Sequence, residues 1–347
     1  MNRAVVFALA AAALFGASTP FAKLLVGNVP PVLLAGLLYL GSGLGLTLFR
    51  VLRDGGWKPS NLPKAEWIWL LGAVFFGGIA GPVALMLGLT TTSGSSASLL
   101  LNLEAVLTAL IAWVVFKENA DRRIVLGMAA IVAGGVVLAW PSTGATASDW
   151  IGPLLVAVAC LCWAIDNNLT RKVSASDALF IAGSKGLIAG VVNTLLAVGQ
   201  GAAMPDMVTM LSTMAVGLLG YGISLVLFVL ALRGLGTART GAYFSTAPFL
   251  GAMVALFVFG ESTGASFWIA ALLMGIGVAL HLTEHHEHRH EHEPLEHTHD
   301  HVHDAHHQHA HPFAWDGGTT AHTHTHQHVA IRHSHPHFPD IHHRHSH

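Results

Sequence analysis

Ten apolar runs of about twenty residues follow one another through the first part of this chain. A helix rises about 1.5 Å per residue, so each run is long enough to span the roughly 30 Å of hydrocarbon in a bilayer. The whole chain is 53% apolar and only 10% charged, a composition typical of membrane proteins. The sequence therefore predicts an all-α membrane protein with ten transmembrane helices. We name the runs segments 1 to 10: Ala4–Val26, Pro31–Leu52, Trp67–Leu89, Ser95–Phe116, Ile124–Trp140, Trp150–Thr170, Ala178–Gly199, Val208–Leu232, Ala238–Phe259 and Ser266–Leu282.

The second half of these runs repeats the first. Ser95–Leu138 returns as Ala238–His281 without an insertion or deletion. Each copy is an apolar helix that ends in a glutamate, "LTALIAWVVFKE" at Glu118 and "LGAMVALFVFGE" at Glu261, followed by a helix rich in Gly and Ala. Coinciding helix ends, acids and spacing indicate an internal repeat. Segment 1 also fits a cleaved signal peptide, since Arg3 precedes an alanine-rich core, but the repeat requires it as the partner of segment 6.

Lys and Arg set the predicted orientation, because they accumulate in cytoplasmic loops. With the N-terminus inside, the inner parts of the chain hold twelve basic residues and the five outer links hold none. Each half has five helices, an odd number, so the second half enters from the opposite side. We therefore predict two inverted five-helix repeats, residues 1–141 and 149–283, in the bacterial inner membrane with both termini cytoplasmic.

Three stretches resemble the EamA-type drug/metabolite transporters: "GASTPFAK" in segment 1, "LNLEAVLTALIAWVVFKE" in segment 4 and "LFVFGE" in segment 9. The resemblance covers residues 4–282 and includes the pattern of two five-helix halves. It implies a carrier that exports or exchanges small metabolites, with the lipid bilayer and a small-molecule substrate as its partners. That family often has Glu-Pro in both the fourth and the ninth helix. Here Glu104 precedes Ala105 and Pro248 follows Ala247, so the second acid of the pattern is absent.

Glu104 is the deepest carboxylate of the predicted helices, about nine residues or roughly 14 Å from either end of segment 4. An ionisable side chain in hydrocarbon is costly unless it faces a cavity or a partner, so such residues usually have a role. We predict that Glu104 binds substrate or a proton and couples transport to a proton gradient. The alternative is a structural hydrogen bond to Asn102, Ser98 or a neighbouring helix.

Asp166 and Lys185 form a second candidate site. Asp166 lies about four residues, roughly 6 Å, from the cytoplasmic end of segment 6, and Lys185 lies about seven residues into segment 7. A short link joins these two helices, so an ion pair between the side chains is geometrically available. Such a pair is either an inner gate or a static strut that neutralises two costly charges. A third possibility is that Asp166 pairs at the membrane interface with Arg171 or Lys172.

Other candidates for lining the substrate site lie on the same two helices. Trp163 offers an aromatic wall, and polar surface comes from Asn167, Asn168 and Asn193. The Gly-rich stretches "GGIAGP" and "GLLGYGIS" are attributed to close packing between helices. The sequence contains no phosphate-binding loop, nucleotide fingerprint, nucleophile elbow or basic patch with interleaved aromatics. We therefore predict no enzyme, no required cofactor and no nucleic-acid partner.

The last 67 residues contain all 25 histidines. From residue 284 onward histidines alternate with polar and acidic residues, and such a composition does not bury enough apolar surface to fold alone. We predict a disordered cytoplasmic tail at 284–347 that binds a divalent metal, Ni, Co, Zn or Cu; a merely solvated or pH-charging tail is the alternative. The candidate ligands are His297, His299, His301, His303, His306, His307, His309, His311, His322, His324, His326 and His328.

These observations leave three classes of function. The preferred class is a secondary transporter of a small metabolite that works by alternating access. The second is a transporter of a divalent metal cation, in which the tail collects or senses the metal. The third is a metal-responsive membrane protein that transports nothing.

Overall fold

The chain forms two compact units, Met1–Glu284 and His285–His347. In the first unit the computed structural model describes residues 3–60, 62–116, 122–140, 150–173, 177–228, 230–231, 240 and 243–282. In the second unit it describes residues 287–292, 296–301, 322–327 and 331–336. All secondary-structure elements among these residues of the first unit are helices, as the sequence predicts.

Segments 1, 2, 5, 6 and 7 are each a single α-helix. Their bounds are Arg3–Val26, Pro31–Asp54, Arg122–Ala139, Ile151–Val173 and Ala178–Gly199. Segments 9 and 10 are the helices Ala247–Phe257 and Ala265–Leu282. Local sequence sets the ends of segment 2: Pro31 fits the first helical turn, and Gly55 adopts a left-handed conformation (φ 67°) that stops the helix.

Segment 4 is one apolar span, Gly94–Val115, built of two helices, helix 4a (Gly94–Leu100) and helix 4b (Leu103–Phe116), and the break between them was not predicted. At the break, the side chain of Asn102 donates to the carbonyl of Leu99 over 2.8 Å, and its backbone N–H donates to the same carbonyl over 3.0 Å. An asparagine that satisfies a nearby carbonyl in this way competes with the regular helical bond. The break places Glu104 in the first turn of helix 4b.

Segments 3 and 8 each contain a π-helical stretch where the sequence predicts uninterrupted α-helix. Segment 3 consists of a 3-10 turn, an α-helix, a π stretch and a second α-helix: Lys64–Glu66, Trp67–Ala73, Val74–Ala80 and Gly81–Thr91. Segment 8 consists of an α-helix, a π stretch and further helix: Met207–Gly217, Leu218–Ile223, 224–228 and 230–231. Both π stretches fall in the Gly-rich sequences attributed above to packing alone. A π turn changes the backbone hydrogen bonding locally, and such turns are frequent at functional sites.

Eight helical segments of the described chain are long and apolar enough to cross a membrane, judged by length and composition. They are segments 1 to 8. The apolar helix of segment 9, Ala247–Phe257, and the apolar stretch Ala265–Leu280 within the helix of segment 10 are shorter. The predicted start of segment 9, Ala238, lies outside the described residues. The first unit is thus a multi-pass helical bundle, and the count of ten spans stays a prediction.

Glycines allow the helices of the bundle to approach one another closely. A Cβ atom at Gly186 of segment 7 would lie 2.7 Å from the Cα of Gly43 in segment 2. A Cβ atom at Gly251 of segment 9 would lie 2.5 Å from the carbonyl oxygen of Gly16 in segment 1. Neither position has room for a larger residue. These contacts agree with the close helix packing expected from the Gly content.

The helix contacts of the first five segments correspond to those of the second five. Segment 1 packs on segments 8 and 9, and segment 6 correspondingly packs on segments 3 and 4. Segment 2 packs on segment 8, and segment 7 packs on segment 3. Two further pairs, segments 2 and 7 and segments 5 and 10, join equivalent helices of the two halves. Each of these contacts therefore has a counterpart five segments away, as two equivalent halves require.

The described residues of the second unit form four short strands: β1 Glu287–His292, β2 Glu296–His301, β3 His322–Gln327 and β4 Ile331–Pro336. β1 pairs with β4 and β2 pairs with β3, both antiparallel. The register places three histidine pairs opposite each other in the second ladder: His297 and His326, His299 and His324, His301 and His322. The prediction of a disordered tail at 284–347 stays a prediction, with these four stretches placed in paired strands.

Candidate functional site

Polar side chains collect where segments 3, 4, 6 and 7 meet, and we call Glu104, Asn167, Asp166 and Lys185 the site cluster. Oε1 of Glu104 accepts a hydrogen bond of 2.8 Å from Nδ2 of Asn167. Glu104 is half-buried and Asn167 is exposed. Among the partners predicted for Glu104, the structure selects the neighbouring helix and not Asn102, whose amide is directed to Leu99. The pair joins helix 4b to segment 6.

The second half of the site cluster is the ion pair that the sequence made available. Nζ of Lys185 donates to Oδ2 of Asp166, and Oδ1 of Asp166 accepts a hydrogen bond of 2.9 Å from Thr170. The side chains of Lys185 and Asp166 are only 18% and 7% exposed. Burial of this degree makes each charge dependent on the other. Whether the pair is a gate or a strut stays a prediction.

The charges of the site cluster do not cancel. Asp166 is balanced by Lys185, whereas the partner of Glu104 is an uncharged amide. An ionised Glu104 therefore leaves one negative charge that these side chains do not compensate. A charge in such surroundings favours binding of a proton or another cation.

The π stretch of segment 3 holds three helices around the cluster through its carbonyl groups. The carbonyl of Gly77 accepts hydrogen bonds from the hydroxyl of Tyr39 over 2.7 Å and from Nε1 of Trp163 over 3.0 Å. The next carbonyl, that of Gly78, accepts a bond of 3.1 Å from Nδ2 of Asn193. Trp163 is 7% exposed and Asn193 is fully buried. In this conformation both therefore hold the backbone of segment 3 and do not present the open surface that the sequence predicts.

Gly77 also makes room for Asp166. A Cβ atom at this position would collide with the carboxylate of Asp166. Segment 6 therefore approaches segment 3 closely only because residue 77 has no side chain. The same approach places Asp166 beside Lys185.

Two groups of predicted site residues are not part of the cluster. Asn168 is buried, and its Nδ2 donates over 2.8 Å to the carbonyl of Ala164 in its own helix. Within the described residues, no group of three or more His, Cys, Asp or Glu side chains is placed to hold a metal ion. Half of the predicted tail ligands lie in the strands, and the others lie outside the described residues: His303, His306, His307, His309, His311 and His328.

Sequence reasoning missed a row of aromatic rings that leads from the cluster to the second half of the bundle. The ring of Tyr39 lies 5.5 Å from that of Tyr221, which lies 6.0 Å from Phe15. Phe15 lies 5.4 Å from Phe244. A signal was available, because the chain has only 3 tyrosines and a hydroxyl in an apolar helix needs a partner. Phenylalanines in apolar segments carry no such signal.

A charged cluster ties segments 2 and 7 together at the end of the bundle that we call the Arg50 end. Nε of Arg50 donates to Asp177 over 3.0 Å, and Nη2 of Arg53 donates to the same oxygen over 3.1 Å. Partial burial raises the pKa of Asp177, but the two guanidinium groups outweigh it and hold this pKa below its usual range. Asp177 also caps segment 7 by accepting from the N–H of Leu179. An ionised Asp177 therefore fixes the start of segment 7 to the end of segment 2.

Comparison with known protein families shows to which family the chain belongs. The model of the EamA-like transporter family matches the chain twice, at residues 2–140 and at residues 150–283. The chain belongs to the EamA-like transporter family. Together with the eight apolar spans, this membership identifies an integral, multi-pass membrane protein that carries two EamA repeats. It also points to a transporter and not to an enzyme.

Two relatives of this EamA protein are named as transporters. An uncharacterized transporter of Methanothermobacter thermautotrophicus is 25% identical over 279 residues, which cover 76% of this chain and 81% of the relative. The uncharacterized transporter YyaM of Bacillus subtilis is 25% identical over 277 residues, covering 76% of this chain and 88% of the relative. A solved crystal structure at 19% identity has a TM-score of 0.60 and covers 80% of this chain and 94% of that one. The last similarity supports the fold alone.

Proposed function

We propose that this protein is a secondary transporter that exports or exchanges a small metabolite by alternating access. The observation that carries the proposal is the site cluster, which places an incompletely compensated carboxylate inside a helical bundle of a transporter family. Ionisable side chains in a membrane bundle most often lie on the path of a substrate or ion. In this proposal Glu104 binds the substrate or the coupling proton, and Asn167 orients its carboxylate.

The charge balance favours a substrate or coupling ion that is positively charged at the site. A protonated amine and a proton would compete for the one negative charge of the cluster. Such competition is what a carrier needs in order to exchange the amine for protons across the membrane. The half-buried rings of Phe15 and Tyr221 offer apolar surface for the body of such a molecule. Carriage of a divalent metal, assisted by the tail, has no comparable support from the described residues.

For the architecture, we propose ten spans arranged as two inverted five-helix repeats. The twofold family match, the contacts repeated at five-segment intervals and the π stretches in both segment 3 and segment 8 support it. Two halves of five spans each face opposite sides, which is the arrangement that allows one half to rock against the other.

Both termini should then be cytoplasmic, because twelve basic residues of the first unit lie on that side and the outer links hold none. Cysteines placed singly between Ser142 and Ser148 should react with an impermeant thiol reagent added to intact cells. Cysteines placed between Lys58 and Asn61 should react only after the cells are opened. The reverse labelling pattern would discard this orientation.

Transport itself is tested with purified protein in proteoliposomes that enclose a pH-sensitive dye. A panel of amines, amino acids and organic acids is added outside at fixed external pH, and internal pH is followed. We expect an amine-bearing compound to change internal pH in protein-containing vesicles at a rate several-fold above that in empty vesicles. Nickel and zinc in the same panel test the metal alternative. If nothing in the panel moves protons and radiolabelled counterflow of the same compounds is also at the empty-vesicle rate, the proposal of a proton-coupled carrier fails.

A further inference from the structure

Glu261, in the second half of the bundle, contacts the first half at the start of helix 4a. Its Oε1 accepts a hydrogen bond of 2.8 Å from the backbone N–H of Gly94, and its Oε2 accepts one of 2.8 Å from the N–H of Ser95. Both donors belong to the start of helix 4a, whereas Glu261 follows the end of segment 9. One carboxylate thus bridges the first half and the second half.

Local sequence explains how Glu261 reaches helix 4a. Gly260 is left-handed (φ 67°) and ends segment 9, and the N–H of Glu261 then donates back to the carbonyl of Ala255 over 3.1 Å. On the other side, a Cβ atom at Gly94 would lie 3.0 Å from Oε1 of Glu261 and 3.4 Å from Cα of Pro20. The contact therefore depends on a glycine at each side.

The start of helix 4a needs these bonds. The first N–H groups of a helix have no partner within it. Ser93 supplies one acceptor, for the N–H of Ser96 over 3.1 Å, and Glu261 supplies acceptors for Gly94 and Ser95. A carboxylate is the stronger acceptor and also interacts favourably with the helix dipole. Helix 4a is thus capped in part by a residue from the other half of the protein.

Further contacts close the bundle at the same end, which we call the Glu261 end. Nζ of Lys23, at the end of segment 1, donates to the carbonyl of Leu89, at the end of segment 3. The ring of Phe21 lies 5.2 Å from that of Phe259 in an edge-to-face contact. The ends of segments 1, 3 and 9 and the start of segment 4 therefore meet there.

Segment 9 packs extensively on helix 4a and much less on helix 4b. Helix 4a packs on segments 1, 6 and 9, whereas helix 4b packs mainly on segments 5 and 6. Ser98 of helix 4a is 1% exposed, and a Cβ atom at Gly251 of segment 9 would lie 2.8 Å from its Oγ. Glu104 lies on helix 4b, after the break in segment 4, and its partner Asn167 lies on segment 6. Both side chains retain exposed surface. Along segment 4, this tightly packed stretch lies between Glu104 and the Glu261 end.

We propose that Glu261 is a positioning residue of the transport cycle, a latch that holds the site closed on this face and must release helix 4a before the face opens. The inference rests on the proposed alternating access. Opening requires helix 4a and segment 9 to separate, and this breaks both hydrogen bonds to Glu261 at once. The strength of the latch therefore sets the ratio of the two conformations.

The test measures conformation and needs no substrate. Ser98→Cys, in a background of Cys160→Ala and Cys162→Ala, reports opening of the Glu261 end to an impermeant maleimide. Thr108→Cys, on helix 4b, reports access from the Arg50 end. Both labelling rates are measured in right-side-out and inside-out vesicles, with and without Glu261→Gln. Asp206→Asn is the matched control, since Asp206 also caps a helix, over 2.9 Å to the N–H of Val208, but it caps only its own segment.

We expect Glu261→Gln to raise the labelling rate at Ser98→Cys about tenfold, since loss of one charge-assisted hydrogen bond of ordinary strength shifts an equilibrium by about that factor. Labelling at Thr108→Cys should fall, and Asp206→Asn should change both rates less than about twofold. Gly94→Ala, which crowds the carboxylate from the other side, should shift the two rates in the same directions. It serves as the second variant if Glu261→Gln reaches the membrane poorly.

Equal rates in Glu261→Gln, Gly94→Ala and the control would overturn the latch. A rise at both reporters would also overturn it, because a loosened fold exposes both ends. Since the readout is independent of transport, vesicles that transport normally with unchanged labelling reject the latch alone. Vesicles that show the expected labelling shift without any transport reject the transport proposal alone.

Discussion

Glu104→Gln should reach the membrane in nearly wild-type amounts and lose transport or its dependence on pH. Glutamine has the volume of glutamate, and its Oε1 can still accept the 2.8 Å hydrogen bond from Asn167. It cannot ionise, so the uncompensated negative charge of the site cluster disappears. A hydrogen bond to a charged group contributes about 1.5–3 kcal/mol, so we expect transport to fall by roughly 10- to 150-fold. The measurement is the proteoliposome assay at external pH values from about 6 to about 8.

Two matched variants separate loss of the acid from a general effect of substitution. Glu66→Gln makes the same chemical change in the 3-10 turn that opens segment 3, outside the cluster, and should transport like wild type. Glu104→Asp keeps an ionisable group but shortens it, so transport should be slower and still depend on pH. Transport by Glu104→Gln that is unchanged over this pH range would exclude Glu104 as the coupling group and leave it a structural partner of Asn167.

The sequence predicts those features that depend on the length of an apolar run or on residues close together along the chain. Apolar length locates the helices. The hairpin between segments 6 and 7 has a short link, which restricts where Lys185 can reach, so the pair with Asp166 was one of the pairings that depth allowed. Glu104 is conspicuous because an acid in an apolar run has no local explanation. Each of these predictions uses only residues that are close together along the chain.

The missed features depend on contacts between distant parts of the chain. At the helix break, the side chain of Asn102 competes with the regular backbone hydrogen bond for the carbonyl of Leu99. Asparagine also occurs in helices that stay unbroken, so the residue type alone does not predict a break. The π stretch of segment 3 is stabilised by Tyr39, Trp163 and Asn193, which come from three other segments. Glu261 reads as the acidic end of a repeat, and nothing near it in sequence indicates that it caps a helix about 170 residues earlier. Only the assembled bundle brings such partners together.

The ion pair of the site cluster gives the second large expected effect. Lys185→Met replaces the ammonium group by an apolar end of similar length and leaves Asp166 without its countercharge. Asp166 is 5% exposed, and Thr170 alone cannot neutralise it. Removal of one member of a buried pair typically costs about 3–5 kcal/mol. We therefore expect Lys185→Met to be recovered from membranes in much lower amounts, with a clearly lower melting temperature in detergent.

The double variant Asp166→Asn with Lys185→Met should recover most of the lost folding. Asparagine keeps an acceptor for the 2.9 Å bond from Thr170, and no charge is left unpaired, so the desolvation penalty of both ions disappears. Recovery is measured as membrane yield and melting temperature, with Asp206→Asn as an exposed control. A double variant as unstable as Lys185→Met would mean that the pair does not act through charge compensation. Once the double variant folds, its transport rate separates the two roles of the pair: a strut can be replaced by neutral side chains, whereas a gate that must open and close with the site cannot.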